Sequence, residues 1–148
     1  MPVAVVSVLK TSYADWKVVD LEMLNPEEQA IWKTEHSREC PGFVFGHFTR
    51  ASLEVAVTLV EGSHGKWHQQ VLLFPEASPS VHPISILAQM DVASISVVLK
   101  MPPGHYPNSE GGKGITIRRD SVAVTALEKG SIQYYWNGKE FKSIITSE

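Results

Sequence analysis

A single cysteine, Cys40, stands in a chain of 148 residues, so no disulfide can close within the chain and no cysteine-only metal cage can form. Long apolar runs are lacking too. The stretch Val3–Leu9 near the start falls far short of the ~18 residues that a membrane-spanning helix needs. No basic residue precedes that stretch and no clear small-residue cleavage site follows it. Membrane insertion is not expected. Two locations stay open: periplasmic or secreted if a leader has been removed, and cytoplasmic otherwise. A basic stripe is also missing, since 13 lysines and arginines face 16 acids for a net charge of −3. Arg118-Arg119 is the only adjacent basic pair, which argues against nucleic acid as a partner.

What is present is ordinary globular material. Hydrophobic residues at 43% and charged residues at 20% argue against disorder. The length predicts one domain over 1–148, able to bury roughly 68–70% of its unfolded surface. Val3–Leu9 is β-branched and apolar and reads as a first strand, with a second over Trp16–Leu21. One helix is expected near residues 26–37. Asn25 suits the N-cap, Pro26 the first helical position and Glu28 the third, while Pro41-Gly42 ends the pattern.

From there the pattern is β. Leu53–Val60 alternates Leu53, Val55, Val57 and Leu59 on one face with Glu54, Ala56, Thr58 and Val60 on the other. It returns through EGSHGK into WHQQVLLF. ISILAQ fits a strand or one helical turn, Ile95–Leu99 a strand, and ITIRRD and SVAVTALE two more. SIQYYW and FKSIIT flank Asn137-Gly138, a two-residue hairpin signal. The two segments SLEVAVTLVEGSHGKWHQQVLLF and SIQYYWNGKEFKSIIT share the order strand, Gly-Lys turn, aromatic, strand. The fold class is therefore mainly β: antiparallel hairpins stacked as a partial β-propeller or a two-layer β domain, with one short α-helix.

Cys40-Pro41-Gly42, Gly46-His47-Phe48, Pro102-Pro103-Gly104-His105-Tyr106 and the run Tyr134-Tyr135-Trp136-Asn137-Gly138-Lys139-Glu140-Phe141 resemble FG-GAP/VCBS-like propeller repeats. The likeness is to small bacterial β proteins ending in PPGxY and YYWxGKxF, and it covers roughly residues 40–148. It implies a partial propeller or two-layer β fold, frequently exported, and brings no assigned activity. Calcium-binding repeats of this kind place Asp and Asn on a tight loop, because Ca²⁺ takes six to eight oxygen ligands. Here Thr49, Arg50, Ala51 and Ser52 follow Phe48, so no calcium is expected.

Other chemistry is thin. His36 and Cys40, with His47 beyond, have the residue types of a metal site or a Cys-His nucleophile. The favoured reading is structural, with His36 capping a helix C-terminus and Cys40 a small buried thiol before a turn. His64 and His68 flank a turn without needing to converge. Ser7-x-x-Lys10 has the spacing of penicillin-recognising enzymes, but in a strand the two side chains would face opposite sides. Glu110-Gly111-Gly112-Lys113-Gly114 leads into a strand, whereas a phosphate loop leads into a helix. Neither metal nor cofactor is expected, nor enzyme activity.

The leading expectation is thus a non-catalytic protein-binding module, of the kind that inhibitors and immunity proteins use to neutralise a bacterial enzyme or toxin. Its partner would be another protein, met through the loops Ser63–Lys66, Pro103–Gly114 and Asn137-Gly138. The binding residues would be Ser63, His64, Lys66, His105, Tyr106, Asn108, Glu110 and Asn137. The alternative is a module for glycan or peptidoglycan fragments using exposed aromatics, and the third reading is a hydrolase using Cys40 with His36.

Overall fold

Seven consecutive strand residues, Glu54–Val60, run through the middle of the structure and take cover on both faces, before the strand ends exposed at Gly62 and Ser63. The structure is a computed structural model that describes residues 1–63, 65–76, 83, 85–127 and 129–146. In chain order the elements are α1 (Val3–Ser12), β1 (Lys17–Val18), a 3₁₀ turn (Leu21–Met23), α2 (Pro26–Glu35), β2 (Phe43–Gly46) and β3 (Glu54–Ser63). There follow β4 (Lys66–Pro75), β5 (Ser85–Val92), β6 (Val97–Met101) and β7 (Gly104–Tyr106). The chain ends with β8 (Ile115–Ile117), β9 (Ser121–Ala126), β10 (Gly130–Trp136) and β11 (Phe141–Thr146). A five-stranded sheet has the order β1-β3-β4-β5, with β2 beside β1 on the same edge of β3. A four-stranded sheet has the order β11-β10-β9-β6, and β7 pairs with β8 alone. All pairings are antiparallel, and no sheet closes on itself among the described residues. The protein is mainly β, with two short helices.

A strand that is apolar on both sides must be covered on both sides. On one face Val44, Ala56, Val71 and Leu73 meet Val98, Val122 and Val124 of the four-stranded sheet in a single cluster, with Tyr134 and Phe141 at its margin. On the other face Val55, Val57, Leu59, Leu72 and Phe74 meet Val5 and Leu9 of α1. The expected first strand over Val3–Leu9 is therefore a helix. Valine lowers helix propensity by only ~0.5 kcal/mol per residue, whereas burying Val5 and Leu9 contributes about 1.5–3 kcal/mol each. The helical period shows in the exposure, with Val3, Ser7 and Lys10 outward and Val5 and Leu9 inward. Ser7 and Lys10 thus share the solvent side of α1 and do not face opposite ways, but they lie exposed on a surface, not in a cleft.

The expected second strand shrinks to β1, because Asp20 Oδ1 accepts the Met23 N–H at 3.2 Å and starts the 3₁₀ turn. The second helix forms as anticipated and is two residues shorter. Asn25 Oδ1 accepts the Glu28 N–H at 2.8 Å and Glu28 Oε1 accepts the Asn25 N–H at 3.3 Å, a complete capping box. Trp32 of α2 joins Val19, Leu24, Val60, Ile95, Val97 and Leu127 in a third cluster. ISILAQ lies within strand β5, apart from Ile84, which is outside the described residues. The last hairpin turns through four residues where two were expected, since Trp136 pairs with Phe141. Asn137 Oδ1 accepts the N–H groups of Lys139 at 2.8 Å and Glu140 at 2.9 Å, and Gly138 takes a φ of 102° that favours glycine.

Candidate interaction surface

The segment after Phe48, where calcium ligands would stand in a repeat that binds the ion, is built by two carboxylates from elsewhere. Glu54 is fully buried, and its Oε1 accepts the N–H groups of Phe48 at 2.9 Å and Thr49 at 2.7 Å. Its Oε2 accepts the Thr49 hydroxyl at 2.5 Å and lies 3.6 Å from Arg50 Nε. Asp120 Oδ2 accepts the His47 N–H at 2.9 Å. These carboxylates satisfy backbone donors and fix the entry into β3, which is the structural role of the segment.

Beside Thr49 a depression of about 540 Å³ opens at this end of the fold. It is lined by Ile115–Arg119, the half-buried Tyr135 and Trp136, and Asn137-Gly138 at the last turn. The Trp136 ring stands edge-on to Phe141 at 5.2 Å, which holds its orientation. Arg118 and Arg119 are exposed, and neither has a carboxylate within 4.0 Å among the described residues. The neighbouring acids are engaged: Glu54 and Asp120 as above, Glu140 with Lys142 Nζ at 2.9 Å. That hydrogen bond also raises the Lys142 pKa above its ordinary value. The lining combines guanidinium, indole, phenol and amide groups, which suits binding of anionic or hydrogen-bonding surfaces.

No protein-family model, curated protein or solved structure matches this chain. Its site must be read from its own geometry.

The loops singled out in the sequence separate into two ends. Asn137 lines the depression, and His105 adjoins it through its pairing with Thr116 of β8, Nδ1 lying 3.2 Å from Thr116 Oγ1. Tyr106 follows on β7, its hydroxyl donating to Pro102 O. Burial lifts its phenol above the ordinary 10.0, a hydrogen bond with Gln133 works the other way, and the charge of Asp120 adds to the rise. Asn108 Oδ1 accepts the Glu110 N–H at 3.0 Å, so it shapes its own turn, and Glu110 is exposed beyond it. Ser63 and Lys66 lie at the far end of β3, nine steps and about 30 Å from Glu54. They cannot share a compact site with Asn137, and His64 lies outside the described residues.

His36 and Cys40 also part company. His36 is the C-cap of α2, its ring 4.8 Å from that of Trp32 and its Nδ1 3.1 Å from Glu39 Oε1. It borders a groove of about 440 Å³ on the face of the four-stranded sheet turned away from the other sheet, beside Ile31, Leu99, Met101 and Leu127. Cys40 borders a different depression with Arg38, Phe43 and Lys100, and no hydrogen bond joins it to His36. No cluster of three His, Cys, Asp or Glu side chains fit to hold a metal occurs among the described residues. The aromatics serve mainly as core, with Trp32 buried and Trp16, Trp67 and Tyr134 packed against the three clusters.

Sequence reading noted Arg118-Arg119 only as a lone pair, and missed its convergence with Tyr135 and Trp136. It missed the buried glutamines as well. Gln69 donates to Thr58 Oγ1 at 2.7 Å and Ser96 O at 2.8 Å and accepts the Ser96 N–H at 3.0 Å. Gln133 donates to Ser121 Oγ at 2.7 Å, and its Oε1 is the buried oxygen without a partner among the described residues.

Proposed function

We propose that this chain is a non-catalytic protein-binding module that grips its partner at the end of the fold where β8 and the β10–β11 turn meet. The observation that carries the reading is the depression in which two arginines, without a carboxylate partner among the described residues, adjoin half-buried Tyr135 and Trp136. Arginine, tryptophan and tyrosine are the residue types that carry most binding energy at protein interfaces. A surface built from a hairpin and a turn on a packed scaffold suits an inhibitor or immunity protein covering an enzyme or toxin. The shared core of the two larger sheets supports a two-layer β domain over a partial propeller. The two similar hairpins of the internal repeat, β3–β4 and β10–β11, lie in different sheets.

The test is capture from the organism's own lysate and envelope fractions with the chain and its Trp136→Ala variant, read by mass spectrometry. A stoichiometric protein retained by the chain and lost by the variant supports the reading. A partner held equally by both, or no partner with well-folded protein, overturns it. A glycan reading draws on the same aromatic wall. It would gain if peptidoglycan fragments quenched tryptophan fluorescence in the chain but not in Trp136→Ala.

A further inference from the structure

Resting on that reading, we propose that the partner supplies an extended acidic segment, which adds as a strand along the free edge of β8 with its carboxylates against Arg118 and Arg119. The depression is lined by an unbroken run, Ile115 to Arg119. A strand facing a cavity contributes alternate residues, because successive side chains point to opposite sides. The unbroken part within the strand, Ile115–Ile117, fits a strand that presents its edge, with Arg118 and Arg119 following beyond its end. Among the described residues β8 pairs only with β7, through Gly104↔Ile117, His105↔Thr116 and Tyr106↔Ile115. Its other edge therefore offers backbone N–H and C=O groups to an incoming chain.

Charge selects the occupant. The chain carries a net charge of −3, yet among the described residues no carboxylate lies within 4.0 Å of Arg118 or Arg119. Guanidinium groups take carboxylates in paired, planar hydrogen bonds. Strand β8 spans three residues, about 10 Å, enough to pair with an extended segment of about three residues, and Arg118 and Arg119 stand just beyond its end. Tyr135 and Trp136 also line the depression, and there an apolar side chain of the segment would pack.

The experiment selects binders from a displayed library of random decapeptides on three proteins: the unaltered chain, the double variant R118Q/R119Q and Trp136→Ala. Both arginines are exposed, so the double variant should melt at the temperature of the parent. The expected result is peptides with two or more acids, binding the double variant roughly tenfold or more weakly. On binding they should slow hydrogen exchange at the amides of residues 115–119. Neutral or basic peptides, no enriched peptide, binding unchanged by R118Q/R119Q, or no slowing at β8 would each overturn the proposal. Saturation by an anionic oligosaccharide in place of peptides would do the same. The two claims fail separately. A captured protein that needs Trp136 but neither arginine leaves the binding-module reading standing and removes this one. Capture of no protein removes the broader reading while the peptide selection still judges the edge.

Discussion

Replacing Glu54 should cost more than any other single carboxylate in this chain, and the size of the loss follows from its partners. The side chain is fully buried and accepts from Phe48 N–H at 2.9 Å, Thr49 N–H at 2.7 Å and the Thr49 hydroxyl at 2.5 Å. Glu54→Ala strands two backbone donors where little water reaches, each costing ~1–3 kcal/mol, while the hydroxyl can turn elsewhere. The lost charge-assisted character brings the expected total to about 3–5 kcal/mol. That is a large part of the ~5–15 kcal/mol typical of a folded domain. Glu54→Gln keeps one oxygen for the two N–H groups but sets an amide N–H₂ towards Arg50, so its loss should be about 1–2 kcal/mol. Arg50→Ala should lose no more than about 1 kcal/mol, because the Arg50 side chain is half exposed and 3.6 Å from its partner. Equilibrium urea unfolding followed by tryptophan fluorescence reads all three, with a midpoint fall of about 2 M expected for the alanine variant. A loss under about 1 kcal/mol for Glu54→Ala would refute the account. A glutamine variant as damaged as the alanine one would show that charge, and not acceptor geometry, holds the segment.

Three further outcomes follow from the structure. Burial holds the phenols of Tyr106 and Tyr134 above the ordinary 10.0, so the unfolded chain releases these protons first as pH rises. Stability from this source is complete below pH ~10 and lost as pH climbs through the raised folded values, and urea midpoints should fall there more gently in Tyr134→Phe. Asn25→Ala removes the 2.8 Å bond to the Glu28 N–H and should cost ~1 kcal/mol, with Glu28→Ala adding less than its separate effect because the two form one box. Gly42→Ala would place a Cβ 2.1 Å from Val19 O, between β1 and β2 where both meet β3. Since neither backbone can yield cheaply, a loss of about 3 kcal/mol and a melting temperature lower by about 6–12 °C are expected.

The parts of this fold that were legible in the sequence are those whose causes are local. The α2 start could be read because Asn25, Pro26 and Glu28 act on each other within one turn. The β3–β4 and β10–β11 hairpins could be read because alternation and turn residues sit side by side. Helix α1 could not be read from its own composition, because what stabilises it is the far face of β3 and β4. The signal lay in β3 itself: Val55, Val57 and Leu59 alternate with Ala56, Thr58 and Val60, so one sheet face alone could not bury both sets. Something outside the sheets had to cover the second face, and Val5 and Leu9 stand one helical turn apart. The site was hidden for a related reason. Asn108 and Asn137 looked like free loop amides, yet both use Oδ1 on their own turns. Arg118-Arg119 looked like two cations in an acidic chain, where a neighbouring carboxylate would ordinarily neutralise them. Among these acids only Asp120 finds its partner far along the chain, the His47 N–H, while Glu54 accepts from Phe48 and Thr49 and Glu140 meets Lys142 close in sequence; among the described residues none of them lies within 4.0 Å of either guanidinium. Net charge therefore says little about this end of the molecule; what bears on the ligand is where the two guanidiniums stand relative to the acids, and that placement exists only in the fold.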